Sequence, residues 1–365
     1  MSSTCLVLSL AVGLPPIPPQ AHAEVVVRAI ERIHARVERA AGEPNGPVLH
    51  VHLTGRKATD DLVQQLALFP EVKSIWLNVT DVTGSTLKDL AGLEHLEFLN
   101  LDATKVNDEA LKGIARLKHL KRLNLQHTKI TDAGLEELVA LPELGGLNVG
   151  SVGVTDAGMK HVARMKKLQA LQLFQSRVGD AGLKEVAKLK QLGFLGLFGT
   201  RVTDAGLKEL RGLDQLILLD LGSTAVTDAG LKDVAALKDL STLELYGTKV
   251  KGPGLKELIR LKRLFRLDLS STPITDEGLK NLAGQKELGQ LGLDSTAVTD
   301  AGLKEIAGLK RLKQLTLSHT GVTDAGLKHL YDMKELRALF LHKTKVTDEG
   351  VKELQMKLPN CTVHR

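Results

Sequence analysis

Residues 195–219 read LGLFGTRVTDAGLKELRGLDQLILL and hold two hydrophobic periods side by side. Leu195 and Leu197 alternate as on a short, half-buried strand, whereas Leu207, Leu210 and Leu213 keep the three-residue spacing of one helical face. Between them stands Thr203-Asp204, the chemistry of a helix start: a hydroxyl at the N-cap accepts an orphan N–H, and a carboxylate in the first turn complements the helix dipole. The unit is strand, turn, helix and return.

Working outward, the unit recurs every 24 residues without insertion. Its aliphatic pair appears thirteen times, from Val51/Leu53 through Ile75/Leu77 and Leu99/Leu101 to Leu339/Leu341, and all 26 positions are aliphatic. One unit cannot bury its aliphatic side chains alone, but stacked on its neighbours it can, at about 1.5–3 kcal/mol per fully buried Leu. Because the period never slips, residues 24 apart become neighbours on adjacent parallel strands, about 4.8 Å from each other.

The chain can then be read in columns. Three residues after each pair stand Thr80, Thr104, Thr128, Thr200, Thr224, Thr248, Thr272, Thr296, Thr320 and Thr344, with Ser176 in the same column. Such hydroxyls are expected to turn inward at the bend and satisfy backbone groups of the next coil. Arg56 and Val152 break the ladder, which predicts a weaker turn at Val152. The Asp after the capping Thr recurs at eleven of thirteen positions and fails at Gly84 and Gly252; its plain reading is a helix-start device. Lys251-Gly252-Pro253-Gly254 predicts a shifted helix start, and Gln285, where other units carry Leu213, Leu237, Leu261 and Leu309, a locally thinner outer layer.

The pattern LxxLxLxxTxVTDAGLKEL resembles the leucine-rich repeat, in the Thr-bearing variant of multi-copy bacterial proteins, and is similar to the repeats of ribonuclease inhibitor and F-box adaptor proteins. It covers residues 48–365. The resemblance implies an α/β solenoid, a horseshoe with a parallel sheet on its concave face, helices on its convex face, and partner binding on the concave side.

At the ends the pattern changes. Residues 1–23 carry no Lys, Arg, Asp or Glu, run apolar from Cys5 to Leu14 and close on Ala21-His22-Ala23, which reads as an export signal cut before Glu24 and predicts a periplasmic or extracellular protein; a disordered leader or a start site placed too late, on an otherwise cytoplasmic chain, is the alternative. The basic segment usual at the start of such signals is missing. Residues 24–47 read as a capping helix and linker, with Val26, Ile30, Ile33 and Val37 on one helical face over Glu24–Ala41. Leu358 to Val363 starts one more half-coil as a C-terminal cap, with Cys361 in it.

Of 365 residues, 43% are hydrophobic and 25% charged, enough for a core and too charged for a membrane bundle; no stretch of about 20 residues is apolar enough to span a bilayer. The net charge of +6 permits an anionic partner, but the column from Lys88 and Lys112 to Lys328 and Lys352 is interleaved with acids and has no aromatic companions, so it reads as a solvated convex face and no nucleic acid is expected. Cys5 and Cys361 stand too far apart in sequence to make a disulfide framework. Gly145 to Gly150 lacks the Lys-Ser/Thr of a phosphate loop, and His50 and His52 lack a third ligand, so neither a cofactor nor a metal is expected. With no catalytic constellation, an enzyme is not the reading.

The outward strand columns stop repeating. They hold Trp76, Phe98, Phe174, Phe194, Phe198, Tyr246, Phe265 and Phe340, eight of the ten aromatics, and a stack built for stability alone has no reason to expose them. The central outward column runs Asn100, Asn124, Asn148, Gln172, Gly196 and then Asp220, Glu244 and Asp268, whose mutual repulsion Arg266 relieves in part. Calcium is a lesser reading of these carboxylates. The candidate partner-binding residues are Phe174, Phe194, Phe198, Asp220, Glu244, Tyr246, Phe265 and Asp268, for a protein ligand carrying a basic group. The sequence reads as a non-catalytic protein-interaction module; the alternative is an F-box-like adaptor that presents targets for modification or degradation, and oligomeric state is left open.

Overall fold

The computed structural model describes residues 19–40, 46–55 and 58–365; Arg56 and residues 1–18 of the expected export signal lie outside them. Each 24-residue unit is one coil and gives one short strand to a single sheet whose order follows the chain. The strands are β1 (Arg36–Arg39), β2 (Val48–His52), β3 (Ser74–Trp76), β4 (Phe98–Asn100), β5 (Arg122–Asn124), β6 (Gly146–Asn148), β7 (Ala170–Gln172) and β8 (Phe194–Gly196). They continue with β9 (Leu218–Asp220), β10 (Thr242–Glu244), β11 (Arg266–Asp268), β12 (Gln290–Gly292), β13 (Gln314–Thr316), β14 (Ala338–Phe340) and β15 (Thr362–His364). From β2 onward all pairings are parallel with partners 24 apart, as in Leu195↔Leu219 and Leu219↔Leu243. None of the 26 paired aliphatic side chains is more than 2% exposed. Strands stack about 4.8 Å apart, while a helix with its side chains is about 10 Å wide, so coils splay on the helical side and the sheet takes the concave face. The helical segments are correspondingly short and often tightened to 3-10, as in Asp204–Leu207 followed by Lys208–Gly212.

The bend after each strand turns on a residue with positive φ, such as Ala103 (54°), Gln175 (55°) and Ser223 (52°). That left-handed step aims the next side chain back at its own strand. The ladder threonines therefore donate to the carbonyl three residues earlier in their own coil, from Thr272 to Leu269 at 2.5 Å to Thr344 to Leu341 at 2.8 Å, and not to the next coil as expected, while the Ser176 hydroxyl accepts the Val178 N–H at 3.4 Å. At Val152 the bend keeps its shape, with Ser151 at φ 55°; the valine, which cannot donate, lacks only the hydroxyl bond.

The recurring Asp does more than start a helix. Asp204 accepts the Thr227 N–H at 2.8 Å and the Thr227 hydroxyl at 2.6 Å, and Asp108, Asp132, Asp180, Asp276, Asp300 and Asp324 staple their coils to the next Thr in the same way. At Asp324 the Thr347 N–H and hydroxyl hold the carboxyl below the usual range. The Gly two residues further on makes room for the preceding coil's carboxylate: a Cβ on Gly230 would lie 2.5 Å from Asp204 Oδ1. Where the staple is lost at Gly84, the next coil carries Ala110, whose Cβ would lie 2.6 Å from a Cβ at Gly84, so small and large have changed places. Gly252, at φ 127°, moves the helix start to Pro253 as expected, and Asp228 takes three N–H groups there, from Lys251, Gly252 and Gly254. Gln285 is only 4% exposed and fills its layer, donating its amide to the Leu258 carbonyl.

The first helix corrects the sequence expectation. It runs from Pro19 to Arg32, not to Ala41, and Val37 lies on β1, antiparallel to β2. Continuing the helix would leave the N–H and C=O groups of the β2 edge unpaired, and β1 covers them. Arg39 ties this edge down with hydrogen bonds to Glu24 at 2.6 Å and to the Gly46 carbonyl at 2.7 Å. At the other end β15 adds in register to β14, with Leu339 opposite Val363, and Cys361 is buried beneath it.

Candidate functional site: the concave face

The central outward column is built on one local device. Asn100, Asn124 and Asn148 each accept the backbone N–H two residues on, at 3.0, 3.1 and 3.0 Å. Asp220 and Asp268 make the same bond to the Gly222 and Ser270 N–H groups, both at 2.8 Å. Asn meets the structural requirement of this position, so the charge at Asp220 and Asp268 is additional to it.

Register places Asp220, Glu244 and Asp268 side by side on β9, β10 and β11. Burial pushes the Asp220 carboxyl above the usual carboxylate range, helped by Asp268 and opposed by the Gly222 N–H. Burial also raises Glu244, with Asp268 and Asp220 adding to it against the pull of Arg266. Arg266 does relieve the column: its Nε donates to Glu244 Oε1 at 2.6 Å, while Nη1 reaches Gln290 at 3.4 Å.

Beside these carboxylates, Phe198 and Tyr246 stack across one intervening coil, with ring centroids 6.4 Å apart and planes 27° from parallel. Gly222 permits this, because a Cβ there would lie 2.7 Å from the Phe198 ring. Phe174 leans the other way, over Gly150, where a Cβ would also lie 2.7 Å from its ring. Phe174 and Phe198 thus diverge instead of forming one cluster. Phe194 stands at the start of β8 beside Gly196. Phe265, 39% exposed, precedes β11 and lines the rim with Lys262, Arg263, Glu287, Arg311 and Lys313, away from the Phe198–Tyr246 pair. The structure therefore brings together Phe198, Asp220, Glu244, Tyr246 and Asp268, but not Phe174 or Phe265.

A second aromatic run lies at the N-terminal end, where the sequence offered only outward rings and a histidine pair. His52 stacks on Trp76 (4.1 Å, 10°), Trp76 meets Phe98 at 5.1 Å, and the Arg122 guanidinium sits 5.2 Å over Phe98. His50 meets the Trp76 edge at 6.1 Å. His52 also faces Glu38 of β1 at 3.3 Å, and burial lowers its pKa. Columns read 24 residues apart contain this ladder, but its ring-to-ring order depends on rotamers. Among the described residues no group of three His, Cys, Asp or Glu side chains is placed to hold a metal ion. Burial pushes the Cys361 thiol up to about 11, far from a reactive thiolate at neutral pH.

The comparisons agree with this architecture. The leucine-rich repeat family profile matches residues 116–139 and 264–283. An internalin (InlF) of Listeria monocytogenes superposes with a TM-score of 0.68 at 20% identity, covering 97% of this chain and 98% of its own. A leucine-rich repeat protein of Leptospira interrogans superposes with a TM-score of 0.54 at 20% identity, covering 82% of this chain and 92% of its own. No curated protein matches the chain in sequence. The fold class is an α/β solenoid with a parallel sheet inside and helices outside. The chain has the leucine-rich repeat fold.

Proposed function

We propose that this protein is a non-catalytic interaction module that binds a protein ligand on its concave face, over β8 to β11. Leucine-rich repeat proteins commonly act in protein–protein interaction. The observation that carries the reading is the switch of the central column from Asn to Asp with an unchanged backbone bond, next to a stacked Phe198–Tyr246 pair. Charge and apolar area beyond structural need are what an interface uses: rings as anchors, carboxylates for orientation. Tyr246 is 43% exposed and ready to be covered. Residues 19–40 form one helix and one strand that cover the first coil.

The test is affinity capture from the source cells and their medium with the parent chain and with a folded Phe198→Ala/Glu244→Lys variant. A protein retained by the parent and lost by the variant supports the concave site; partners retained equally by both overturn it. We further propose export. The expected cut before Glu24 falls inside the helix Pro19–Arg32, so the mature chain would keep Glu24–Arg32 of it. A mature N-terminus at Glu24 in the mass spectrum is the expected result. Among the described residues no helix is long and apolar enough to cross a membrane.

A further inference from the structure

Next to the acidic column the concave face has a notch. On β12 the central outward position is Gly292, over which the Asp268 carboxylate leans, and beside them lies a cavity of about 180 Å³ lined by Arg266, Asp268, Gln290, Asp294, Gln314 and Thr316. That is smaller than the roughly 300–1,000 Å³ of pockets for small-molecule ligands and suits one side chain. Asp268 gives one carboxylate oxygen to the Ser270 N–H at 2.8 Å, and Asp294 gives one to the Ser318 N–H at 2.6 Å, so each keeps a second oxygen for another donor. The Thr316 hydroxyl oxygen is buried and has no hydrogen-bond partner. A buried polar atom in that state costs stability unless something binds it.

The chemistry of the occupant follows. On β9 to β13 and the residues just after them, the concave columns carry Asp220, Glu244, Asp268 and Asp294 against the single guanidinium of Arg266, which Glu244 already engages. Asp268, Asp294 and Thr316 offer three acceptors around one small space, and a lysine ammonium has three N–H groups to give. An arginine would meet the two carboxylates with its fork. Tyr246 follows β10, two strands before the notch, about 10 Å away, which an extended peptide covers in three residues.

We propose that the notch is the socket for a lysine or arginine side chain of an extended segment of the protein ligand, with a large apolar residue three positions away resting on the Phe198–Tyr246 pair. The inference deepens the concave-face reading and rests on it. Apolar cover on the rings excludes water, and the basic side chain sets direction and register along the sheet.

The test is selection of random twelve-residue peptides displayed on phage against the full chain, followed by a double-mutant cycle. Enriched peptides are expected to carry Lys or Arg three residues from a large apolar residue. Changing that Lys to Met should weaken binding at least about tenfold to the parent, and much less to Asp268→Asn/Asp294→Asn, in which Asn keeps the backbone bonds as Asn100 does. Thr316→Val should unfold at higher denaturant than the parent yet bind the Lys peptide more weakly; unchanged binding would leave the threonine a structural residue and count against the socket. If the Lys change costs the same in parent and Asp→Asn variant, the socket is overturned, while loss of binding in Tyr246→Ala would still uphold the concave face. Peptides indifferent to Tyr246→Ala, or no enriched peptides at all, overturn the concave reading and the socket together.

Discussion

A single carboxylate can hold two coils together or repel its neighbours, depending on its column. In the helix-start column Asp108, Asp132, Asp180, Asp204, Asp276, Asp300 and Asp324 reach across to a Thr, Asp156 and Asp228 reach backbone N–H groups of the next coil, and at Asp204 the facing Gly230 leaves space for the carboxylate. Gly230→Ala is therefore expected to cost about 1–3 kcal/mol in urea unfolding, because its Cβ would lie 2.5 Å from Asp204 Oδ1. In an Asp204→Gly background the same substitution should cost clearly less, reproducing the Gly84–Ala110 exchange. Equal costs in both backgrounds would refute that contact. In the concave column the sign reverses. Asp220 and Glu244 have carboxyls raised above the usual range by burial first, so the folded chain holds protons that the unfolded chain releases. Stability is thus lost as pH rises from the ordinary carboxylate range through the raised one, and the loss persists at neutral pH. Asp220→Asn should raise the Tm at neutral pH, by the equivalent of about 0.2–1 kcal/mol for removing like-charge strand neighbours, and the gain should fade below the ordinary carboxylate range. A gain of equal size at low pH would show that charge is not the cause.

Elements here are short, and their ends are decided by which backbone groups need cover. The helical sides carry few residues and drift between α and 3-10 because the aliphatic layer, not helical propensity, holds them in place. At the two edges of the described sheet the cover comes from β1 and β15. β1 folds back antiparallel on β2, and β15 lies parallel on β14 above the helix Asp348–Lys357. Cys361 reports on the second cap. In a Cys5→Ser protein its thiol, buried and pushed up to about 11, should react with a thiol reagent at pH 8 far more slowly than in denaturant. Rapid labelling under native conditions would mean that β15 frays. The period was legible in the sequence to the residue, yet β1 was not, because RVER at 36–39 alternates too briefly to outweigh the helical pattern before it, and only the open edge of β2 selects a strand.

The whole molecule is a one-dimensional stack, each coil resting on its neighbours. Removing residues 201–224, one full period, should leave a folded chain with a single unfolding transition and a smaller m-value, since every column is rejoined in phase. Removing residues 201–212 puts strand residues against helix residues and should abolish cooperative unfolding as followed by circular dichroism. A half-period deletion that unfolds like the parent would contradict the stacking. At this scale the candidate site belongs to a stretch of about four coils, and the rest of the solenoid holds its register and spacing.

The 24-residue period by itself determined the solenoid, the register of the sheet, the buried 26 side chains and the identity of the neighbours in each column, because a period without slip makes sequence distance and spatial distance the same quantity. It also showed where carboxylates replace amides on the concave face. Only the tertiary structure decided which of those side chains meet. Phe174 leans over Gly150 and Phe198 over Gly222, Phe265 falls on the rim, and the Asp268 carboxylate leans over Gly292 at the edge of the notch. The physical reason is that a column names neighbours but not rotamers: a ring turns toward whichever adjacent coil leaves space, and that space is defined by the glycines of that coil, preceding or next, once it is stacked in place.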